Sequence, residues 1–262
     1  MERTREPAVA GYFYPADPQQ LRGAVKAYLE AAKSEMINVP KALIAPHAGY
    51  VYSGPVAAHA YAQLQNSAAK ISRVLILAPA HRLAFDGIAY SSDSGFRTPL
   101  GTVPVDTHEL NRIAALPQLT RLDAAFDNEH SIEVQLPFLQ VALNRFQIIP
   151  LLVGRATPSQ VQEILEALWG GDETLIVISS DLSHYLSYSD AKKLDLATTY
   201  AIEALDPDGV GYHHACGRTP VNGLLLAARR HRLTATTLNL RNSGDTAGPK
   251  DRVVGYGAYG FH

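Results

Sequence analysis

Four short stretches of the chain are apolar at every position rather than at every second one. They cover residues 42–46, 73–78, 148–153 and 175–180, and segments with helical periodicity separate them. Continuous apolarity indicates burial on both faces, which is typical of parallel strands covered by helices. The pattern predicts an α/β fold of three layers, α/β/α, with a mostly parallel central sheet. Because no repeat or linker interrupts it, we expect residues 1–262 to form a single domain.

Helix boundaries are marked by capping residues and prolines. Asp17 precedes Pro18, Asp106 or Thr107 begins another helix, and Pro55 is expected in the first turn of the helix that it opens. The predicted helices cover residues 18–33, 53–65, 106–116, 127–143, 157–170, 189–205 and 219–232. Residues 86–106 alternate turn residues with short β-prone runs and predict a hairpin, and residues 253–261 predict a glycine-rich last strand.

Composition and charge exclude several classes of partner. The chain has 262 residues, of which 47% are hydrophobic and 18% charged, as expected of a globular protein with a sizeable core. It carries 23 Lys and Arg against 25 Asp and Glu, a formal net charge of -2. This balance gives no electrostatic reason to expect a nucleic acid or a membrane as partner.

The cysteine content and the first residues bear on the compartment. Cys216 is the single cysteine of the sequence, so the chain has no internal disulfide and suits a reducing environment. The first residues lack the apolar region of a signal peptide, and no apolar run approaches the roughly 20 residues of a membrane-spanning helix. We therefore expect a cytoplasmic protein.

Histidines follow three of the four apolar strands. His47 comes after strand 42–46, His81 after strand 73–78, and Asp181 and His184 after the strand that ends at residue 180. In an α/β sheet, ligands bind outside the carboxyl ends of the parallel strands. One such histidine would be an ordinary turn residue, but three on one edge favour a functional site. Histidine there serves as metal ligand or as general base near neutral pH.

Two further segments are candidates for the same cleft. The segment "DNEHSIEVQLPF" places His130 near a predicted helix start, where backbone N–H groups favour anions. His130 is assigned to substrate binding, whereas Ser131 and Glu133 are expected on the solvent face of an ordinary capped helix. In "YHHACGRTPVNG", Cys216 precedes a helix predicted to be capped by Thr219. A thiol near a helix N-terminus can have a lowered pKa and act as ligand or nucleophile; the alternative is a buried, inert cysteine.

Six motifs carry a resemblance to a known family. They are "PAVAGYFYPAD", "APHAGYVYSGPVAAHAY", "LAPAH", "EHSIEVQLPFL", "SSDLSHY" and "CGRTPVNGLL", in this order from about residue 5 to the C-terminus. Together they resemble the MEMO family, named for the human mediator of ErbB2-driven cell motility.

The resemblance implies a fold like that of the class III extradiol dioxygenases, which are non-haem iron enzymes. It also implies a vestibule in which His47, His81 and Cys216 are the metal ligands. His184 would correspond to the acid–base histidine of the dioxygenases, with Asp181 close to it. Genes that lie near those of prokaryotic members of the family imply partners in a radical-SAM pathway.

The implied ligand set departs from that of the dioxygenases, which hold Fe(II) with two histidines and a carboxylate. Here Cys216 takes the place of the carboxylate. Fe(II) is the expected cofactor. Because a thiolate is a softer ligand than a carboxylate, copper and zinc are also candidates. A thiolate ligand is also open to oxidation.

Three functions are compatible with these residues. The first is a metal-dependent redox enzyme acting on a small molecule or peptide in the vestibule. In it His184 and Asp181 are the catalytic residues: His184 moves a proton, and Asp181 orients a histidine or binds the metal. The second is a non-catalytic protein that binds phosphorylated peptides or a partner, with Arg82 or Arg218 as the cation for the anionic group. The third is a hydrolase with Cys216 as nucleophile and His184 or His81 as its base. His213 and His214 are assigned no role.

Overall fold

The computed structural model describes residues 3–32 and 39–262, and these contain helices and strands in alternation. The strands are Thr4–Arg5 (β1), Ala42–Ala45 (β2), Arg73–Pro79 (β3), Ile88–Tyr90 (β4), Gly95–Thr98 (β5), Gly101–Pro104 (β6), Leu119–Arg121 (β7), Gln147–Val153 (β8), Thr174–Ser179 (β9), His184–Leu186 (β10), Ala235–Asn242 (β11) and Val253–Phe261 (β12). The α-helices are Pro18–Ala31 (α1), Tyr50–Ala62 (α2), Thr107–Ile113 (α3), Leu136–Ala142 (α4), Pro158–Ala167 (α5), Tyr188–Glu203 (α6) and Arg218–His231 (α7).

The main sheet is mixed and has nine strands. Its order is β10-β12-β2-β9-β3-β8-β4-β7, with β11 paired to β12. The four apolar stretches of the sequence form the adjacent strands β2, β9, β3 and β8, which run parallel to one another. Antiparallel partners flank them on both sides, β12 beside β2 and β4 beside β8. The prediction of a mostly parallel sheet is therefore wrong for the sheet as a whole.

The physical reason lies in the flanking strands. Strands β4 and β10 are short, and β12 is rich in glycine. None of these three has the continuous apolar pattern that identifies a buried parallel strand, so the sequence did not indicate how they pair. The predicted hairpin is present, because β5 and β6 pair antiparallel, and β1 joins β5 to complete a separate three-stranded sheet.

Most predicted helices are found, with two corrected starts. The helix predicted to begin at Pro55 begins at Tyr50, and Pro55 lies inside it. The carbonyl that Pro55 leaves without a donor belongs to Val51, a residue with 59% of its surface exposed, so this internal proline is tolerated. Helix α7 is capped by Gly217 instead of Thr219. Lys33, the predicted end of the first helix, lies outside the described residues.

The helix predicted over residues 127–143 forms in its second half only. A 3-10 turn covers Glu133–Gln135 and leads into α4. Asn128 has a positive φ of 56°, and the Glu129 carboxylate accepts the backbone N–H groups of His130 and Ser131. Because the side chain of Glu129 captures these donors, the first part of the segment remains a loop.

The helices pack around a continuous apolar core that contains β2, β3, β8 and β9. Helices α1, α2 and α4 contact one another, α5 packs against α7, and α6 lies on β11 and β12. Within residues 3–32 and 39–262, no helix has both the length and the apolar character needed to cross a bilayer.

Candidate metal centre

The carboxyl ends of three neighbouring parallel strands define the site. In the sheet β9 lies between β2 and β3, and each strand is followed after one intervening residue by a polar side chain: His47, His81 and Asp181. The convergence predicted from the sequence is thus present in the fold. Cys216 reaches the same place from the residue before the cap of α7.

His47, His81 and Cys216 form a group that could hold a metal ion. Their candidate ligand atoms all lie within 4.8 Å of one another. The Cys216 Sγ atom is 3.3 Å from His47 Nε2, and the ring centroids of the two histidines are 5.2 Å apart. His47 is buried, whereas the side chain of His81 keeps 30% of its surface exposed. The group is therefore accessible from the side of His81.

Ser179 fixes the orientation and the tautomer of His47. The Ser179 hydroxyl donates to the carbonyl of Ser131 at 2.6 Å and accepts from Gln135 Nε2 at 2.7 Å. Its only proton is thereby used, so at 2.8 Å the Nδ1–H of His47 must be the donor to Ser179 Oγ. His47 Nε2 is then left as a lone pair that faces Cys216, which is the state a metal ligand needs.

Glu129 orients His81 in the same way. Its buried carboxylate accepts the His81 backbone N–H at 2.5 Å and lies 3.1 Å from His81 Nδ1. Burial alone would raise the pKa of Glu129, but the hydrogen bonds and charge of His81 outweigh it and hold that pKa well below its usual range. An ionised carboxylate only accepts, so Nδ1 of His81 donates. In the neutral ring, which is the form that binds a metal, the lone pair is then on Nε2.

Cys216 is a partly buried thiol in the protein without metal. Burial and the negative charge of Asp181 raise the pKa of Cys216 to about 12. This direction is opposite to the lowering expected from a helix N-terminus. The Sγ atom lies 3.7 Å from the carbonyl of Asp181 and 3.9 Å from Ser180 Oγ. A metal ion would have to displace the thiol proton to bind here.

Asp181 supports the loop that carries His47. Its Oδ1 accepts the His47 backbone N–H at 2.8 Å, and the side chain is buried. Burial raises the pKa of Asp181 to about 7, although the backbone N–H groups of His47 and Ala48 and the charge of His81 oppose the rise. Asp181 therefore changes charge close to neutral pH.

His130 lies beside the group. Its ring stacks on His81 with centroids 4.9 Å apart and meets Phe13 at 4.8 Å. His81, Glu129 and His130 form a second set of close ligand atoms. His130 Nδ1 is buried without a hydrogen-bond partner. Burial lowers the pKa of His130 to about 4, so its ring is neutral at neutral pH.

The other predicted site residues lie at the rim. His184 begins β10 and lines a cavity of about 390 Å³ together with Cys216 and Arg218. Burial lowers the pKa of His184. Arg218 lies over the ring of Tyr212, with 5.3 Å between its guanidinium carbon and the ring centroid. Arg82 points outward and donates from Nε to the carbonyl of Asn128 at 3.3 Å.

Four supporting side chains, Glu129, Ser131, Glu133 and Ser179, were not predicted from the sequence, and two of them were misplaced. Ser131 and Glu133, expected on a solvent face, are buried. Glu133 accepts hydrogen bonds from Arg5, Tyr14 and the backbone of residues 8 and 9, so it ties the N-terminal segment to the site segment. No pattern in the neighbouring sequence indicates that Glu133 ties these segments together or that Ser179 orients His47. The role of Glu129 has no local signal either, because the histidine that it orients is His81, 48 positions away, and not its neighbour His130.

Comparisons with known proteins agree on one family. A family model described as "Memo-like protein" matches residues 5–259. A MEMO1 family protein of Methanopyrus kandleri is 34% identical over 280 residues, covering 98% of each chain. One of Sulfolobus acidocaldarius is 34% identical over 276 residues, covering 96% of this chain and 97% of its own. One of Aquifex aeolicus is 35% identical over 265 residues, covering 97% of each.

Proposed function

The chain belongs to the Memo-like family, and from this premise we propose that it is a metal-dependent redox protein whose ligands are His47, His81 and Cys216. One observation carries the proposal. Two hydrogen bonds, a buried one from His47 to Ser179 and a partly buried one from His81 to Glu129, leave both Nε2 atoms as lone pairs beside a single thiol. Three soft or borderline donors within one small volume are the chemistry of a transition-metal site rather than of a calcium or magnesium site.

The donor set fits Fe(II), copper or zinc, and we propose Fe(II) as the cofactor. Two imidazoles and a thiolate would leave coordination positions open for a substrate. A bound redox metal would supply electron transfer or oxygen chemistry at the mouth of the cleft. A small molecule or a peptide is the proposed substrate, and radical-SAM pathway proteins are the proposed functional partners.

His184 and Asp181 are the proposed proton-transfer residues. Burial lowers the pKa of His184, so its ring is neutral at neutral pH and can accept a proton from a substrate in the cavity that it lines with Cys216. Asp181, with its pKa raised to about 7 by burial, can hold a proton near the same place. We also propose that the fold is like that of the class III extradiol dioxygenases, with helices on both faces of the sheet.

The hydrolase alternative is less favoured by the environment of Cys216. A nucleophilic cysteine needs a base or a lowered pKa to form its thiolate. Burial instead raises the pKa of this thiol to about 12. The neighbour at 3.3 Å, His47 Nε2, could accept the proton, but His47 is buried and burial also lowers its pKa strongly. A metal ion held by His47, His81 and Cys216 would supply the positive charge that stabilises the thiolate.

The test is metal content after anaerobic purification without chelators, followed by titration with Co(II). Near-stoichiometric iron or copper, lost in both Cys216→Ser and His47→Ala, supports the proposal. A Co(II)-bound thiolate also gives an intense near-ultraviolet charge-transfer band, which should be absent in Cys216→Ser. Protein that holds no metal and takes up neither Fe(II), Cu(I) nor Co(II) would overturn the metal function.

A further inference from the structure

Two cavities meet at Cys216, and they differ in chemistry. The first, of about 390 Å³, is bordered by the ionisable side chains of His184, His213 and Tyr212 together with Leu186, Leu194 and Ala215. The second, of about 250 Å³, is bordered mainly by apolar side chains that include Leu83, Phe85 and Pro220. Cys216 and Arg218 line both. A ligand lying over Cys216 therefore has histidines and a tyrosine among its neighbours on one side and a lining of mostly apolar residues on the other.

Arg218 is the uncompensated charge between these cavities. Its guanidinium forms no ion pair with a carboxylate in the described parts of the chain, and its recorded side-chain contact is the ring of Tyr212. Neither cavity has an aspartate or a glutamate in its lining. The second arginine, Arg155 in the apolar cavity, is already paired with Asp86 at 2.7 Å. An arginine without a carboxylate partner, facing a cavity without acids, is suited to bind an anionic group.

We propose that the substrate of this site is an amphiphilic carboxylate: its carboxylate binds Arg218 in the first cavity, and its apolar group occupies the cavity lined by Leu83 and Phe85. The inference rests on the proposed function, because it names the substrate class of the same cleft. Arg218 rather than Arg82 is the anchor, since Arg82 lines neither cavity and donates to the carbonyl of Asn128 instead. A ligand held in this way passes directly over Cys216, the proposed metal ligand.

The experiment separates the two ends of the ligand with a homologous series. Butanoate, hexanoate and octanoate are titrated into the metal-free and the Co(II)-loaded protein, and binding is followed by NMR chemical-shift changes. Each added methylene that enters an apolar cavity strengthens binding about fourfold. Affinity should therefore rise along the series, and 1-hexanol, which has no carboxylate, should bind at least tenfold more weakly than hexanoate.

Two variants test each end separately. Arg218→Gln should weaken all three carboxylates by about tenfold or more and leave the gain per methylene unchanged. Ala84→Phe, which fills the apolar cavity from its exposed rim, should leave butanoate binding unchanged and remove the gain from the longer chains. Arg145→Gln is the matched control. Arg145 is also exposed and has no ion pair within residues 3–32 and 39–262, but it lies just before β8, at the opposite end of the parallel strands.

The outcomes are distinguishable from those of the metal test. If the parent protein shows no Co(II)–thiolate band, the proposed metal function is contradicted, whether or not the carboxylates bind. Carboxylates that do not bind, or that bind Arg218→Gln as tightly as the parent protein, would overturn the inference even if Co(II) binds fully. Equal affinity along the series would refute the apolar half of the proposal. An equal loss in Arg145→Gln would show that binding depends on overall charge and would also refute it.

Discussion

The carboxylate of Glu129 accepts two hydrogen bonds from His81, one from its backbone N–H at 2.5 Å and one from its Nδ1 at 3.1 Å. The first fixes the position of the loop after β3, and the second fixes the ring. The same carboxylate also accepts the backbone N–H groups of His130 and Ser131. Glu129 thus joins the loop that carries His81 to the loop that carries His130, and it sets the direction in which the free Nε2 of His81 points.

Glu129→Gln is expected to weaken metal binding about 10- to 100-fold. The substitution keeps the volume of the side chain but removes the charge that fixes the His81 tautomer and raises the basicity of its Nε2. Co(II) titration, followed through the charge-transfer band of Cys216, measures the effect. Glu30→Gln, on the exposed side of α1, is the control and should bind Co(II) like the parent protein. Unchanged Co(II) affinity in Glu129→Gln would show that His81 needs no orienting carboxylate.

Ser179→Ala is expected to change the tautomer of His47. Without the Ser179 oxygen, the Nδ1–H of His47 has no acceptor, so the proton is free to move to Nε2, the nitrogen that faces Cys216. Metal affinity should fall about tenfold, and the ¹⁵N shifts of His47 should show a mixture of tautomers where the parent protein shows one. Ser67→Ala removes a buried hydroxyl that donates to the carbonyl of Leu64, far from the site in sequence, and controls for general loss of packing. If the ¹⁵N shifts of the two variants agree with those of the parent, the tautomer is not set by Ser179.

The sequence predicted the part of the site that depends on sheet topology. Continuous apolar runs identify parallel strands, and the carboxyl ends of such strands lie together, so the convergence of His47, His81 and Asp181 could be predicted without a structure. The position of Cys216 before a predicted helix made it a candidate for the cleft, but its place among the metal ligands came from the family resemblance. No spacing rule connects a residue before α7 with one after β2, 169 positions away.

The residues behind the ligands could not be predicted, for a physical reason. Glu133 lies in a segment whose charges and polar residues look like an exposed helix face, and only the folded chain shows that Arg5 and Tyr14 come to it from more than 115 positions away. Hydrogen bonds between such distant residues leave no periodic pattern in the sequence. The antiparallel flanks of the sheet were missed for a similar reason, because the pairing of β12 with β2 depends on where the last strand returns.

Glu133→Gln is expected to destabilise the protein by about 3 kcal/mol. The carboxylate is buried and forms an ion pair of 2.8 Å with Arg5, whose side chain is only 8% exposed. Removing one charge of a buried pair leaves the other uncompensated, which typically costs 3–5 kcal/mol. Urea denaturation measures the free energy of unfolding. The control is Glu6→Gln, which breaks the exposed pair of Glu6 with Arg97 and should cost about 0.5 kcal/mol or less. Equal effects of the two substitutions would contradict a structural role for Glu133.

The free energy of unfolding is expected to fall as the pH rises from about 4 to 6, because Asp195 ionises at a higher pH in the folded protein than in the unfolded chain. The side chain is buried, its Oδ1 accepts the backbone N–H of Ser183 at 3.0 Å, and burial raises its pKa to about 6. In the unfolded chain an aspartate has a pKa of about 3.9. Between these two values the folded protein binds more protons than the unfolded chain, so the free energy of unfolding falls as the pH rises.

The free energy of unfolding should fall by about 3 kcal/mol in total. The fall is complete well above pH 6, and it is absent well below pH 4, where Asp195 is protonated in both states. Urea denaturation at pH 4.0, 5.0, 6.0 and 7.0 measures it for the parent protein and for Asp195→Asn. The asparagine cannot ionise, so the decrease between pH 4.0 and 7.0 should be smaller by most of that amount. Asp172→Asn, at an exposed position before β9, is the control. Its free energy of unfolding should change with pH as that of the parent protein does. Parallel pH profiles for the parent protein and Asp195→Asn would mean that Asp195 ionises in the folded protein as it does in the unfolded chain.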